Sequence, residues 1–246
     1  MEYLKNFVKQ SPLLFSAYKS FSDFYRRLCV WMKIDKYLRP GLNDLDNKLS
    51  KYIGYKDGYF IEVGANDGYS QSNTFYLEKV LGWEGLLVEP IPELYSQCKK
   101  ERKKSSVYNF ALVSSEFSEK EILIDYAGLQ SVVVGAMGGE ELRLGHIEKG
   151  LSSQNIKSGY SVSVPTITLE ALLQRESFRE QNEIDFFSLD VEGYEVEVLK
   201  GLNLDKYRPK YILVETRQFE IVERMLRKYY LLKEKMSYHD YLFVRS

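Results

Sequence analysis

The sequence is poor in cysteine, has no long apolar run and has no excess of either charge. Its two cysteines, Cys29 and Cys98, are spaced for neither a zinc site nor a disulfide framework, which favours a reduced, cytoplasmic setting. No apolar run approaches the roughly 20 residues that a membrane-spanning helix needs, and charged residues interrupt the N-terminal segment too often for a signal peptide. The 34 Lys and Arg residues balance 35 Asp and Glu residues, so no basic excess is available for nucleic acid. We therefore expect a cytoplasmic protein that does not bind nucleic acid.

The first 39 residues form a basic segment with helical periodicity. They hold eight Lys and Arg residues against three acids, and Pro12 is expected to start a second helix. Apolar and aromatic residues recur at steps of three and four: Tyr3, Leu4, Phe7, Leu14, Phe15, Tyr18, Phe21, Phe24, Tyr25 and Leu28. Such a stripe is most often buried against protein, but it could also lie on an anionic membrane surface. Peripheral contact with the inner membrane surface and a homo-oligomer through residues 1–39 both stay open.

From residue 59 onward, segments typical of strands and helices alternate. Strands are predicted at 59–63, 85–89, 106–112, 161–167, 185–190, 211–215, 230–236 and 241–245, and helices at 73–81, 92–103, 168–174, 194–199 and 218–229. This alternation indicates an α/β fold with a largely parallel sheet covered on both faces. The Gly- and Ser-rich stretch 115–160 is expected to hold a strand or hairpin and then a mobile loop. We divide the chain into an N-terminal helical extension, 1–50, and one α/β domain, 51–246.

Polar residues follow several predicted strands where ligands bind in parallel sheets, at the carboxyl ends. The first strand ends in Gly64-Ala-Asn-Asp-Gly68, whose glycines allow a sharp turn and close approach of a ligand. This turn lacks the Gly-x-Gly-x-x-Gly pattern of nicotinamide-binding folds and the Lys-Ser/Thr of a phosphate-binding loop. Glu89 ends the second strand, where an acid can accept hydrogen bonds from both hydroxyls of a ribose. Acids at these ends suit a cationic sulfonium ligand better than a pyrophosphate.

The end of the strand over 185–190 is the second acidic site. If strand geometry continued, Asp190 and Glu192 would face the same side about 7 Å apart. They could act as a general base, orient an acceptor hydroxyl or hold a divalent cation, and they could also simply stabilise a helix N-terminus. His146, in the Gly-rich middle, is a further candidate base, although an exposed loop histidine is the simpler interpretation. Glu215 ends another strand and either faces the acceptor or pairs with Arg217.

Several ordered motifs together resemble the FkbM-type methyltransferases. They are Ile61-Glu-Val-Gly-Ala-Asn-Asp-Gly68, Leu87-Val-Glu-Pro90, Asn109-Phe-Ala111, Val164-Pro-Thr-Ile-Thr-Leu169, Asp185-Phe-Phe-Ser-Leu-Asp-Val-Glu-Gly193, Gly201 and Tyr211-Ile-Leu-Val-Glu215. The resemblance covers roughly residues 59–216 and leaves the first 50 outside. One departure is that the Lys usual before the Asp of the late motif is replaced here by Ser188-Leu189.

This resemblance implies a class I methyltransferase fold, a Rossmann-like three-layer sandwich whose mostly parallel seven-stranded sheet ends in an antiparallel strand. It also implies S-adenosylmethionine as cofactor, and it assigns the predicted site by position. Glu62, Gly64 and Asp67 would line the methionine part, with Asn66 and Gly68 in the same turn; Glu89 would bind the ribose, Asn109 and Ala111 would lie near the adenine, and Asp190 and Glu192 would face the methyl group and the acceptor.

The function expected from this resemblance is O-methyl transfer to a sugar hydroxyl of a glycan or nucleotide-sugar precursor. Two alternatives are an O-methyltransferase for a polyketide-like metabolite and a catalytically silent protein that keeps the fold. A nicotinamide oxidoreductase is disfavoured by the glycine pattern. A divalent cation is left open as a second cofactor, with no metal ligands assigned.

Overall fold

The computed structural model describes residues 12–128, 131–134, 140–154, 159–176 and 183–246. Its helices are α1 (Pro12–Trp31), α2 (Asp35–Leu38), α3 (Leu45–Ile53), α4 (Phe75–Leu81), α5 (Pro92–Glu101), α6 (Glu140–Gln154), α7 (Leu169–Arg175), α8 (Glu195–Lys200) and α9 (Phe219–Leu226). Its strands are β1 (Tyr59–Val63), β2 (Glu84–Val88), β3 (Ser106–Tyr108), β4 (Ala111–Leu112), β5 (Glu121–Tyr126), β6 (Val132–Val133), β7 (Tyr160–Ile167), β8 (Phe186–Leu189), β9 (Tyr211–Glu215), β10 (Tyr230–Lys235) and β11 (Asp240–Arg245).

The main sheet has seven strands in the order β10-β11-β9-β8-β1-β2-β3. The five strands from β9 to β3 run parallel, and β11 pairs antiparallel with β9. Within this sheet, the chain passes from β1 through β2 to β3. It then returns to β8, which lies on the other side of β1. The connections therefore reverse between β1 and β8, which is where open α/β sheets bind ligands. The predicted fold class is confirmed.

Alternating side chains of the strands fill two separate cores, one on each face of the main sheet. Ile61 of β1 and Phe187 of β8 pack on one face with α7, α8 and α9, while Phe60 and Phe186 pack on the other with α3 and α4. Because successive strand residues point to opposite faces, β1 and β8 are buried on both sides. The sheet is thus the middle of three layers.

A second sheet has four strands in the order β4-β7-β5-β6. The single strand predicted at 106–112 is wrong, because it divides between the two sheets. β3 follows β2 only as far as Tyr108, whose carbonyl oxygen accepts a hydrogen bond from Glu89 N (3.0 Å). The Asn109 amide donates instead to the carbonyl oxygens of Glu89 (2.9 Å) and Pro90 (2.7 Å), and the chain then turns toward β7.

The middle of the chain departs further from the sequence prediction. The predicted hairpin is confirmed as β5 and β6, which pair antiparallel. The mobile loop expected afterwards is wrong for residues 140–154, because they form the 15-residue helix α6. The sequence does not predict this helix because it contains Gly145 and Gly150. Each glycine in a helix interior costs about 1 kcal/mol relative to alanine.

The N-terminal helices pack on the α/β domain through a narrow set of contacts. α1 begins at Pro12, as predicted. Its Cys29 is buried, and Arg26 pairs with Glu101 at the end of α5 (3.0 Å). Leu45 and Leu49 of α3 belong to the core beneath the sheet, and the division at residue 50 stays a prediction. Within the described residues, no helix has the length and hydropathy to cross a membrane.

Candidate active site

The strand register brings the predicted site residues together at one edge of the main sheet. Val63 at the end of β1 is aligned with Val88 of β2 and with Leu189 of β8. The next residues, Gly64, Glu89 and Asp190, therefore leave the sheet side by side. They border an open cleft, whose space is about 990 Å³ when the solvent at its mouth is included. Among the predicted site residues, its lining includes Glu62, Gly64, Asn66, Glu89, Ala111, Asp190 and Glu192.

Glu89 is buried on the cleft wall and held in place by two backbone amides. Its Oε2 accepts a hydrogen bond from Asn66 N (2.8 Å), and its Oε1 accepts one from Ile91 N (2.9 Å). Burial raises the pKa of Glu89 to about 7, although these two amides oppose the shift. Each oxygen of an ionised carboxylate can accept more than one hydrogen bond. Glu89 can therefore bind a pair of vicinal hydroxyls without losing its own supports.

The turn after β1 is forced into an unusual backbone conformation. Gly64 has a φ of +85°, and a Cβ there would lie 1.8 Å from the carbonyl oxygen of Asp190. Asn66 and Gln71 also have positive φ angles, of 49° and 62°. Backbone of this kind is concentrated at functional sites. Glycine at position 64 therefore permits the close contact of β1 with β8 at the base of the cleft.

Asp67, Gly68 and Asn109 shape the cleft but, in the described structure, are not part of its lining. The Asp67 carboxylate accepts hydrogen bonds from Tyr69 N (2.9 Å) and Ser70 N (2.7 Å), which fold the turn on itself. Gly68 packs against α5, where a Cβ would lie 3.0 Å from the Cys98 sulfur. Asn109 holds the end of β2 through the two carbonyls described above. All three support residues that border the cleft, and their contact with a cofactor stays a prediction.

A buried ion-pair network beneath the turn is absent from the sequence predictions. Arg102 is 1% exposed and donates to Glu62 Oε2 (3.2 Å) and Glu78 Oε2 (2.9 Å). Glu62 also accepts hydrogen bonds from Ser72 Oγ (2.9 Å) and Thr74 Oγ1 (2.6 Å). These contacts occupy much of the Glu62 carboxylate. It lies at the cleft, but it chiefly fixes the segment that leads into α4.

Ser188 and Leu189 stand before Asp190, where the resemblance would place a lysine, and Ser188 lies on the floor of the cleft. Ser188 of β8 accepts a hydrogen bond from the Asn73 side-chain amide (3.1 Å), and both residues line the cleft. The Asn73 Oδ1 is buried and has no hydrogen-bond partner among the described residues. A buried acceptor without a partner costs free energy unless a ligand donates to it. The floor thus offers an acceptor for an N–H or O–H group of a bound molecule.

Asp190 and Glu192 form an acidic boundary of the cleft. Strand geometry ends at Leu189, and Glu192 has a φ of 51°, so the two are not arranged as successive outward positions of a strand. Burial, together with Glu215 and Glu192, raises the pKa of Asp190 well above its ordinary value. Burial and Glu215 likewise raise the pKa of Glu192 to about 7. Both groups therefore hold their protons to higher pH than an ordinary carboxyl group, and Glu192 can exchange its proton near neutrality.

Beyond this acidic boundary lies a second, smaller pocket of about 390 Å³. It shares Asp190 and Glu192 with the cleft, and its other lining residues are Gly193, Glu195, Glu215, Thr216, Arg217, Gln218 and His239. Glu215 lines this pocket, and its proximity is one cause that raises the pKa of Asp190. His239 is brought here because β11 runs antiparallel to β9 and aligns Asp240 with Glu215.

Two further site predictions concern His146 and metal binding. His146 lies on α6, and its side chain is outside the described residues. Among the residues that the structure describes, no three His, Cys, Asp or Glu side chains are grouped so that they could hold a metal ion.

The sheet order, the single antiparallel pairing next to β9 and the cleft at the switch point define a class I S-adenosylmethionine-dependent methyltransferase. More narrowly, the chain belongs to the FkbM methyltransferase family, since the family model "Methyltransferase FkbM domain" matches residues 62–242. The suspected family is thereby confirmed.

Solved structures with a similar fold are distant from this chain. A methyltransferase FkbM from Methylobacillus flagellatus KT is 10% identical, with a TM-score of 0.44, and the match covers 91% of this chain and 60% of that one. A human methyltransferase 10 domain containing protein is 14% identical (TM-score 0.46; 82% and 80% covered). An O-methyltransferase from Bacillus cereus, solved with S-adenosylhomocysteine, is 11% identical (TM-score 0.41; 83% and 80% covered). At this distance none of the three informs the activity of this chain. No curated protein sequence matches it significantly.

Proposed function

We propose that the chain transfers a methyl group from S-adenosylmethionine to a sugar hydroxyl of a glycan or nucleotide-sugar precursor. The observation that supports this most directly is the small polar pocket joined to the cleft at Asp190 and Glu192. Its lining combines carboxylates, an amide, a guanidinium and a hydroxyl, which can accept from and donate to a ring of hydroxyl groups. An apolar acceptor would displace water from these polar groups without replacing its hydrogen bonds, at a cost in free energy.

The residues around the cleft fit S-adenosylmethionine in charge and in hydrogen-bonding capacity. We assign the ribose hydroxyls to Glu89 and the adenine to the region of Ala111. The amino-acid part belongs beside Gly64 and Asn66, where the unpaired Asn73 Oδ1 offers an acceptor. When bound, this cofactor supplies an electrophilic methyl group on a positively charged sulfur. Carboxylates along the cleft stabilise such a charge.

Within this proposal, Glu192 accepts the proton of the acceptor hydroxyl. Its pKa of about 7 lets it be largely deprotonated just above neutral pH while remaining basic enough to take up a proton. Burial and the neighbouring Glu215 raise the pKa of Asp190 well above its ordinary value, so this carboxyl group tends to keep its proton. Asp190 therefore orients the acceptor at the junction of the two pockets. Alignment of the hydroxyl oxygen toward the methyl group provides much of the rate.

The test is methyl transfer by the purified protein to sugar acceptors and polyketide-like alcohols, followed by mass spectrometry. We expect a gain of one methyl group on a sugar or nucleotide sugar. Asp190→Asn should lower turnover by about 100-fold with little change in cofactor affinity, whereas Glu197→Gln, on α8 and paired with Lys200 (2.7 Å), should be active. Methylation confined to the alcohols, or an active Asp190→Asn protein, would refute the proposal.

A further inference from the structure

Helix α1 presents a stripe of large apolar side chains to solvent. Phe21, Phe24 and Trp31 are 68%, 65% and 79% exposed. The stripe also includes Leu14, Tyr18, Tyr25, Leu28 and Met32, all of them exposed. The steps of three and four between these residues place them on one side of the helix. In soluble proteins this side of an amphipathic helix normally faces a core, so the stripe is suited to an occupant outside the described chain.

The other side of α1 is tied to the α/β domain by charge. Glu101 at the end of α5 accepts contacts from both Arg26 (3.0 Å) and Arg27 (3.3 Å). The Arg27 side chain is still 60% exposed. Glu101 is thus the carboxylate that joins the N-terminal helix to the domain.

The sequence around Glu101 is rich in exposed lysines. Lys99, Lys100, Lys103 and Lys104 flank Glu101 along the chain, and all four are exposed. Lys33 and Lys36, which follow α1, are exposed as well. We call these six residues the lysine cluster. The fold therefore combines an apolar stripe near the N-terminus with cations located about seventy residues later in the sequence.

We propose that the α1 stripe and the lysine cluster together form a docking surface for an anionic lipid bilayer. Aromatic residues such as Trp31 and Phe21 favour the boundary between headgroups and acyl chains. Cations within a Debye length of the surface, about 8–10 Å, add attraction to acidic headgroups. With 20 residues, α1 can lie in the membrane plane over about 30 Å.

A second copy of the chain fits the same surface less well. Joining two stripes would bring the cations of both copies together, and like charges repel. The stripe is also mainly aromatic, whereas helix pairing favours Leu, Ile and Val at the contact positions. The lipid surface satisfies both features at once. This inference does not depend on the proposed methyl transfer.

The test uses the full-length protein and vesicles of phosphatidylcholine with or without phosphatidylserine. Trp31 serves as the reporter because Trp83, the other tryptophan, is fully buried. We expect a blue shift of Trp31 emission and co-sedimentation with phosphatidylserine vesicles, both reduced by raised salt. The double variant Phe21→Ser/Phe24→Ser should bind these vesicles roughly tenfold more weakly or not at all.

Two further variants separate charge from apolar contact. Lys103→Ala/Lys104→Ala should weaken binding to phosphatidylserine vesicles by roughly tenfold. The control variant is Leu231→Ser/Tyr238→Ser, which should bind like the unaltered protein. Leu231 lies on β10 and is 62% exposed, and Tyr238 lies in the turn before β11 and is 80% exposed. Equal binding to both vesicle types, or none, overturns the proposal. So does a dimer in sedimentation velocity that Phe21→Ser/Phe24→Ser converts to a monomer while neither protein binds vesicles.

Discussion

Glu192 is the residue whose environment bears most directly on chemistry. It lies in a left-handed turn between the two pockets, and burial near Glu215 raises its pKa to about 7. A carboxylate in water would be a weak base at neutral pH. With its pKa raised to about 7, Glu192 can remove a proton from a hydroxyl group as the methyl group is transferred.

The pH dependence of turnover tests this role. We expect kcat/KM to rise with pH through about 7, since Glu192 must be deprotonated to act as a base. Glu192→Gln should lower kcat by about 100-fold and remove this limb of the profile. A steady-state assay over this range decides the matter. An unchanged profile in Glu192→Gln would assign the proton transfer to another group.

Individual residues could be predicted from the sequence where they follow a strand directly. Gly64, Glu89 and Asp190 do so, and the register brings them together. Arg102 could not be predicted, because it lies in a Lys-rich run in which the neighbouring cations are exposed and only this one is buried. His239 could have been found, since the last strand was predicted to be antiparallel and so must begin beside the end of β9.

At the scale of elements, the site depends on how closely β1 and β8 approach at their carboxyl ends. Gly64 permits this approach by having no Cβ, and Asp190 N donates to Val63 O (3.1 Å) from the other strand. The turn after β1 then folds around the Asp67 carboxylate. Backbone contacts between the ends of β1 and β8 therefore form the base of the cleft.

Gly64→Ala should be far more destabilising than Gly193→Ala. Both glycines have positive φ angles, of 85° and 98°, but a Cβ at position 193 meets nothing within 4 Å. The backbone penalty alone is about 1–2 kcal/mol, and the clash with Asp190 O should add about 1–3 kcal/mol at position 64. Urea unfolding of the two variants measures the difference. Equal losses would show that the strands separate easily there.

The buried network around Arg102 is the second support of these elements. Arg102→Met removes the cation that Glu62 and Glu78 share and leaves Glu78 with Lys79 (3.2 Å), so we expect a loss of about 3–5 kcal/mol in the free energy of unfolding. Lys103→Met, at the exposed neighbouring position, should change it by no more than about 0.5 kcal/mol. Chemical denaturation of both variants provides the comparison, and an Arg102→Met protein of normal stability would remove the network from this account.

The elements themselves were predictable to different degrees. Strands with continuous apolar runs, such as β1 and β8, were placed correctly because burial on both faces leaves a plain pattern. Thr168 caps α7, since its Oγ1 accepts a hydrogen bond from Ala171 N (3.1 Å). α6 was missed because it contains Gly145 and Gly150, which are unfavourable in a helix interior. The division of 106–112 was missed because a change of sheet does not alter local periodicity.

At the scale of the whole molecule, the protein concentrates buried acids on one edge of its sheet. Burial is the main cause that raises the pKa of Glu89 and Glu192 to about 7, and burial does the same for Asp46 in α3. The pKa values of Asp190, Glu195, Glu215 and Asp240 are also raised, chiefly by burial. Such a surface favours a cationic ligand and is unfavourable to an empty site at high pH.

Stability should therefore fall as the pH rises from about 5 to about 8. A carboxyl group with a raised pKa in the folded state stabilises the fold below its unfolded value, near 4, and this contribution is lost as the pH passes through the folded value. We expect the Tm of the ligand-free protein to drop by roughly 5 °C or more over this range. Asp46→Asn, away from the cleft, should make the decline shallower. A constant or rising Tm would contradict the assignment of these acids.

The central claim is that the cleft at the switch point binds the nucleoside of a methyl donor, and calorimetric titration with S-adenosylhomocysteine tests it most directly. The unaltered protein should bind one equivalent and give no heat with NAD. Glu89→Gln should lose about 1–3 kcal/mol of binding free energy, roughly 5- to 150-fold in affinity, whereas Glu84→Gln, exposed at the opposite end of β2, should bind normally. No heat with S-adenosylhomocysteine, or equal affinity in Glu89→Gln and the unaltered protein, would contradict the account.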